Sequence, residues 1–138
     1  MDPLEAWAAA NPAGRDALLD LAEQGVALQP AAEVVIQLAH LDQGSPPTDH
    51  VAEQERVEGA YQALLARLGA LRLDRVASEP LAALLERHAA LVAGARAGPR
   101  PPDGLGRVAG DLVALRDRIR RTVPVKGRAV VTHVTKRL

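Results

Sequence analysis

The sequence predicts an all-α, single-domain helical bundle of five or six helices with a C-terminal extended or β-prone tail. Its 138 residues fit one domain with a sizeable core. The apolar share of 48% comes mostly from Ala, Leu and Val, while Trp7 and Tyr61 are the only aromatic residues. Two long segments carry apolar residues at alternating spacings of four and three, which is the period of one helix face.

Three helix starts near the N-terminus combine a polar residue with Pro at the first helical position, where the missing N–H is tolerated. We therefore expect helices over about 3–10, 12–25 and 29–42, with Gly25 ending the second. The third is apolar around nearly its whole circumference, which is typical of the central helix of a bundle. Its β-branched residues also fit a strand, but the flanking caps favour a helix.

The fourth helix, expected from Asp49 to about Leu73, has the clearest pattern in the chain. Acidic residues occupy its first turns and arginines its last, which suits the helix dipole. Its apolar face is spaced by 4, 3, 4 and 3 residues: Val57, Tyr61, Leu64, Leu68 and Leu71. With Leu65 beside it, this face is wide enough to pack against a core.

Two further helices complete the predicted bundle, separated by the Pro-rich linker 98–102. Ser78 is expected to cap the fifth helix, which would end near Gly98. Asp103 would cap the sixth helix, and Pro124 would end it. The sixth helix has an apolar face spaced by 3, 4, 3 and 4 residues: Leu105, Val108, Leu112, Leu115 and Ile119.

The chain is expected to divide into a helical bundle, 1–123, and a basic β-prone tail, 124–138. Residues 128–135 are rich in β-branched side chains, which favours a strand or an extended segment. A lone strand in a helical chain has no sheet to complete, so its backbone groups would pair with water, a second copy or a partner. We therefore expect the tail to contribute to association.

The formal net charge of zero conceals a separation of charge along the chain. Residues 1–60 contain 11 acidic and 2 basic residues, a net charge of −9. Residues 61–138 contain 6 acidic and 15 basic residues, a net charge of +9. Within the bundle we call 1–60 the acidic half and 61–123 the basic half. This asymmetry indicates an electrostatic role in folding or in association.

Composition excludes several functional classes. The chain has no Cys, which rules out disulfides, thiolate metal ligands and a Cys nucleophile. Its acidic start does not resemble a signal peptide, and no apolar run reaches the roughly 20 residues that span a bilayer. We therefore expect a soluble, cytoplasmic protein without a membrane partner.

The groups that could carry catalysis or bind a cofactor are scattered. The four histidines, His40, His50, His88 and His133, lie on different segments and lack the spacing of metal ligands. His88 falls on the apolar face of the fifth helix, where we expect a hydrogen-bonded core histidine. No Ser or Thr lies in a nucleophile-elbow context, and no phosphate-binding loop is present. We predict neither an enzyme nor a bound cofactor or metal.

The best candidate binding residues are the basic ones in the last quarter of the chain. They are Arg107, Arg116, Arg118, Arg120, Arg121, Lys126, Arg128, Lys136 and Arg137. Arg116 and Arg120 are one turn apart and off the apolar face, so they predict an exposed basic strip. This strip would contact phosphates or an acidic protein surface, or it would neutralise the acidic half of the same chain. The sequence leaves both interpretations open.

From these patterns we expect a non-catalytic helical protein–protein interaction module, self-associating or serving as a small subunit of a larger assembly. The apolar helix faces and the opposite charges of the two halves favour this function. The alternative is a nucleic-acid-binding small helical subunit that uses the Arg-rich last helix and the tail. The two functions differ in their salt dependence, because binding to phosphates weakens steeply as salt rises.

Overall fold

The computed structural model describes residues 2–41, 49–95 and 105–122. In these residues every regular element is an α-helix. The six helices are α1 (Pro3–Ala10), α2 (Pro12–Ala27), α3 (Gln29–Leu41), α4 (Asp49–Ala70), α5 (Arg75–Ala93) and α6 (Leu105–Arg121). Over this part of the chain the predicted all-α bundle is confirmed. The linker 98–102, the tail 124–138 and the predicted helix boundaries Asp103 and Pro124 lie outside the described residues.

The centre of the bundle is formed by α2 and α5, since each packs against all five other helices. By contrast, α3 lies at the edge and packs mainly against α4, α5 and α2. Its buried side chains are Ala32, Val35 and Ile36, whereas Val34 is 55% exposed and Leu38 is 43% exposed. The prediction that the third helix is central is therefore wrong. A pattern that is apolar all round identifies no single buried face, so the packing of the other helices decides which face is covered.

The apolar faces predicted for α4 and α6 form much of the core. The buried members are Val57, Tyr61, Leu64 and Leu68 on α4 and Val108, Leu112, Leu115 and Ile119 on α6. Leu71 departs from the prediction, because it is 39% exposed. The reason is that α4 already ends at Ala70, and the turn that follows carries Arg72 at a φ of 52°.

The start of α5 differs from the prediction. Asp74 is its N-cap, and its carboxylate accepts a hydrogen bond from the N–H of Val76 at 3.1 Å. The assignment of Ser78 as the cap is wrong, since Ser78 and Pro80 both lie inside the helix. The N–H of Ser78 donates to the carbonyl of Asp74 at 3.0 Å, so the first turn is complete before Pro80 is reached. A Pro near a helix start therefore does not always mark the first turn.

The end of α5 also differs, because the helix stops at Ala93 and does not reach Gly98. The buried side chain of Gln54, on α4, donates a hydrogen bond to the carbonyl of Val92 at 2.7 Å. It also lies 3.4 Å from the carbonyl of Ala93. The last carbonyls of a helix have no partner within the helix and need one elsewhere. Here a neighbouring helix supplies the donor, and a local sequence pattern cannot show this.

Gly25 lies inside α2, which continues to Ala27, so its predicted role as the end of the helix is wrong. A Cβ atom at this position would lie 3.0 Å from Leu85 Cδ2 and 3.1 Å from Leu112 Cδ2. These leucines belong to α5 and α6, which both pack against α2. Glycine at this position allows three helices to approach one another closely.

Gly25→Leu should lower the free energy of unfolding by about 1–3 kcal/mol, because the branched side chain would overlap Leu85 and Leu112. Gly59→Ala is the matched control, since a Cβ added at Gly59 meets no described atom within 4 Å. That variant should raise the free energy of unfolding by roughly 0.5–1 kcal/mol, because Ala is the better helix former. Urea unfolding followed by circular dichroism measures both changes. Stabilisation by both substitutions would contradict the three-helix contact.

Candidate interaction surfaces

Two arginines of α6 contact carboxylates from the acidic half of the chain. Arg118 lies 2.7 Å from a carboxylate oxygen of Asp2, and Arg120 lies 2.7 Å from one of Glu23. Asp2 also caps α1, where its carboxylate accepts a hydrogen bond from the N–H of Leu4 at 2.8 Å. Desolvation raises the pKa of Asp2, but the backbone hydrogen bonds and the Arg118 guanidinium outweigh it and hold this pKa below its ordinary value. These contacts favour neutralisation within one chain.

The basic strip predicted from Arg116 and Arg120 is only partly exposed. The Arg116 side chain is 21% exposed and lies 3.0 Å from the carboxylate of Asp117, while half of the Arg120 side chain is exposed. Arg107 and Arg121 are exposed to solvent. The other candidates lie outside the described residues: Lys126, Arg128, Lys136 and Arg137. The structure thus spreads the predicted residues over two sides of α6, and part of their charge is already paired.

Arg120→Glu should lower the stability of the bundle by less than about 1 kcal/mol, because it places two carboxylates opposite each other on an exposed surface. Combining Arg120→Glu with Glu23→Arg restores opposite charges at the same two positions and should recover most of the loss. Thermal unfolding at low and high salt measures both, and the differences should shrink at high salt. A double variant no more stable than Arg120→Glu alone would show that this ion pair contributes nothing.

A stacked pair of polar ring side chains lies in the core between α4 and α5. Tyr61 and His88 are fully buried, with ring centroids 5.3 Å apart and ring planes at 26°. His88 Nδ1 lies 2.8 Å from the carbonyl oxygen of Leu84, one turn earlier on α5, and donates a hydrogen bond to it. His88 is thus the hydrogen-bonded core histidine that the sequence predicted.

The remaining polar atoms of this pair, Tyr61 Oη and His88 Nε2, are buried and have no hydrogen-bond partner among the described residues. Burial disfavours the charged form of each group. It raises the pKa of Tyr61 to about 12. It also lowers the pKa of His88 below its ordinary value of 6.5, although the hydrogen bond to Leu84 acts in the opposite direction. Both rings are therefore neutral near pH 7.

An open apolar groove, which we call the α2–α4 groove, runs between these two antiparallel helices. Its two adjoining compartments have volumes of about 370 and 280 Å³. The apolar side chains that line them are Ala17, Leu21, Ala27 and Leu28 on the α2 side and Ala60, Ala63, Leu64, Ala70 and Leu71 on the α4 side. Arg67 borders both compartments, donating to Gln24 Oε1 at 2.8 Å and lying 3.5 Å from the Asp20 carboxylate.

The groove was not predicted, because its walls come from segments that are far apart in the chain. One signal for it exists on α4. Ala63 and Ala70 are exposed there, at positions where a surface helix usually carries charged or long polar side chains. Small apolar residues on a solvent-facing stripe indicate a surface that another helix can approach closely.

A second apolar surface, which we call the α3 ridge, consists of Val34 and Leu38. The two residues are one helical turn apart and exposed, although the adjacent Val35 and Ile36 are buried. Together with Leu71, they are the large hydrophobic residues that are exposed in the described part of the chain. The signal for this ridge is the apolar circumference of the third helix, which predicted a central helix and not an exposed face.

Within the described ranges, no group of three or more His, Cys, Asp or Glu residues could hold a metal ion. The side chains of His40 and His50 and the whole of His133 lie outside the described residues.

No helix in the described ranges is long and apolar enough to cross a bilayer. Comparison of the chain with protein-family models, with curated proteins and with solved structures gave no match.

Proposed function

We propose that this protein is a non-catalytic helical protein–protein interaction module, either self-associating or a small subunit of a larger assembly. The observation that carries the proposal is the α2–α4 groove, an open surface lined mainly by Ala and Leu side chains. Both compartments are open to solvent and lined mainly by apolar side chains, and the contacts of Arg67 with Gln24 and Asp20 lie between them. Covering the groove removes apolar area from water, which is the main driving force of association.

The shape of the groove suits a helix. Its α2 wall extends over residues 17–28, which corresponds to roughly 16 Å, or about three helical turns. Its short alanine side chains let a third helix pack at the ordinary interaxial distance of about 8–10 Å. Binding of one apolar helix face in such a groove is a common mode of protein recognition.

Ala63→Arg tests the proposal, because it places a long charged side chain in the groove at a position that is exposed in the free protein. Tagged full-length protein would capture partners from native cells, and mass spectrometry would quantify them. Partners bound through the groove should be lost at least about tenfold, a change of about 1.4 kcal/mol. Ala83→Arg, on an exposed position of α5, is the matched control. Equal capture by wild type and both variants would contradict the proposal.

Nucleic-acid binding through α6 and the tail is the second candidate. Arg107 and Arg121 are exposed, but Arg118 and Arg120 already contact carboxylates of the same chain, which weakens the case. Affinity for generic duplex DNA and RNA, measured over a series of salt concentrations, tests it, because the slope reports the number of phosphate contacts. Micromolar affinity at physiological salt would favour this function over the interaction module. The non-catalytic nature and the cytoplasmic location of the protein remain predictions.

A further inference from the structure

We propose that the occupant of the α2–α4 groove is a second copy of this chain, and that its α3 ridge is the part that enters. This inference rests on the proposed function of the groove as an interaction surface and adds the identity of the partner. Two identical contacts would form if each copy placed its ridge in the groove of the other. Such an exchange gives a closed, twofold symmetric dimer in which both ridges and both grooves are covered.

The distribution of exposed apolar side chains is the first argument. Val34, Leu38 and Leu71 are the exposed large hydrophobic residues of the described chain. The first two form the α3 ridge, and Leu71 lines the groove. The ridge is not needed for the core of its own chain, because the opposite face of α3 supplies Val35 and Ile36 for that purpose. Mutual burial of ridge and groove would therefore remove all three from water.

The second argument is that the α3 ridge is short enough to enter the groove. From Val34 to Leu38 it extends for roughly 6 Å, against roughly 16 Å for the α2 wall of the groove. Ala27 and Leu28, which line one end of the groove, directly precede α3 in the chain. The groove therefore ends where α3 begins, and Val34 is six residues beyond Leu28 along the chain.

Charge complementarity is the third argument. Glu33 lies next to the ridge and is exposed; its carboxylate accepts only a long hydrogen bond, 3.4 Å, from Gln37 among the described residues. Arg67 is the cation of the groove, and 54% of its side chain is exposed although it pairs with Asp20. Asp20 also lies in the groove, but among the described residues Arg67 donates one hydrogen bond, to Gln24 Oε1. Its guanidinium can therefore bind a Glu33 carboxylate in addition to Asp20. Electrostatic complementarity of this kind fixes the register of an interface.

A complementation experiment tests the proposal on the full chain. Sedimentation equilibrium should show that wild-type protein forms dimers. The ridge variant Val34→Glu/Leu38→Glu and the groove variant Ala63→Arg should each raise the dimer dissociation constant at least about tenfold, whereas Ala83→Arg should not. A mixture of the ridge variant and the groove variant should dimerise again, because one intact ridge can still enter one intact groove.

Several results would overturn the proposal. Wild-type protein that stays monomeric at the highest attainable concentration would exclude a second copy, although capture of another protein that is sensitive to Ala63→Arg would still support the proposed function. Failure of the mixture to dimerise would place the self-interface elsewhere. Deletion of residues 124–138 should leave the dimer intact, and its loss would instead support the association through the tail that the sequence predicts. Circular dichroism would check folding, and the milder Val34→Thr/Leu38→Gln should weaken the dimer in the same direction if the glutamate variant unfolds.

Discussion

Leu112→Ala should lower the free energy of unfolding by about 2–5 kcal/mol, the usual cost of truncating a fully buried leucine. Leu112 is fully buried on α6, and its side chain lies against the α2 backbone at Gly25. The bundle cannot close the resulting cavity easily, because α2 and α5 already meet at this point. Leu64→Ala should act in the same direction, because Leu64 is 4% exposed on the buried face of α4 and its truncation removes buried apolar area.

Leu71→Ala is the matched control for these truncations. It removes the same atoms from a side chain that is 39% exposed, so the expected change is within about 0.5 kcal/mol. Urea unfolding at low protein concentration compares the three variants without a contribution from association. A small effect at both Leu112 and Leu64 would show that these helix faces do not form the core.

Acidification below about pH 6.5 should destabilise the bundle through His88. Because burial lowers the pKa of His88 in the folded state, the neutral ring favours folding above the ordinary value of 6.5. That contribution is lost as the pH falls from 6.5 towards the folded-state pKa, because the unfolded chain then binds the proton first. Over this interval the loss approaches about 1.4 kcal/mol per pH unit for one proton.

A comparison with His88→Phe between pH 6.5 and 5 isolates His88, because the two proteins share every other titratable group, including the other three histidines. Tyr61, its stacking partner, stays neutral because its pKa is raised to about 12. The pKa of Glu53 is lowered by its hydrogen bond with Arg56, so its contribution is lost only at more acidic pH. No Asp, Glu, Lys or Arg side chain is buried in the described core to offset a charge on the ring.

The measurement is urea unfolding of wild-type protein and of His88→Phe, which keeps the ring stack, as a function of pH. The variant should show a flatter pH dependence between pH 6.5 and 5. NMR titration of wild-type protein should give a His88 pKa below 6.5. A wild-type stability that is constant over this range, together with a His88 ring that titrates normally, would contradict a buried neutral histidine.

The sequence by itself determined the helical class of this protein and the apolar faces of α4 and α6. The periodicity of apolar residues acts over a few neighbouring positions, so it can be read without knowledge of the fold, whereas the Ser78 cap and the Gly25 stop were wrong. Burial of Leu112 and of His88 follows from the same local patterns. The predicted binding residues on α6 were recognised by charge, which is also readable from the chain alone.

Only the tertiary structure shows which residues of different helices contact one another. Gly25 resembles a helix end in sequence, but the approach of Leu85 and Leu112 makes it a packing residue inside α2. Gln54 caps a helix that begins 21 residues later in the chain. Arg120 of α6 forms an ion pair with Glu23 of the neighbouring α2. The positive charge of this candidate binding residue is therefore balanced within the same chain.

The same reason explains why the α2–α4 groove and the α3 ridge were not predicted. Local sequence shows that a helix has apolar faces, but the order in which helices pack determines which face is covered and which stays open. In α3 apolar residues lie on more than one face, and the core contains the face with Val35 and Ile36. Val34 and Leu38 are exposed because no other described helix covers their face of α3, and burial is a property of the whole bundle.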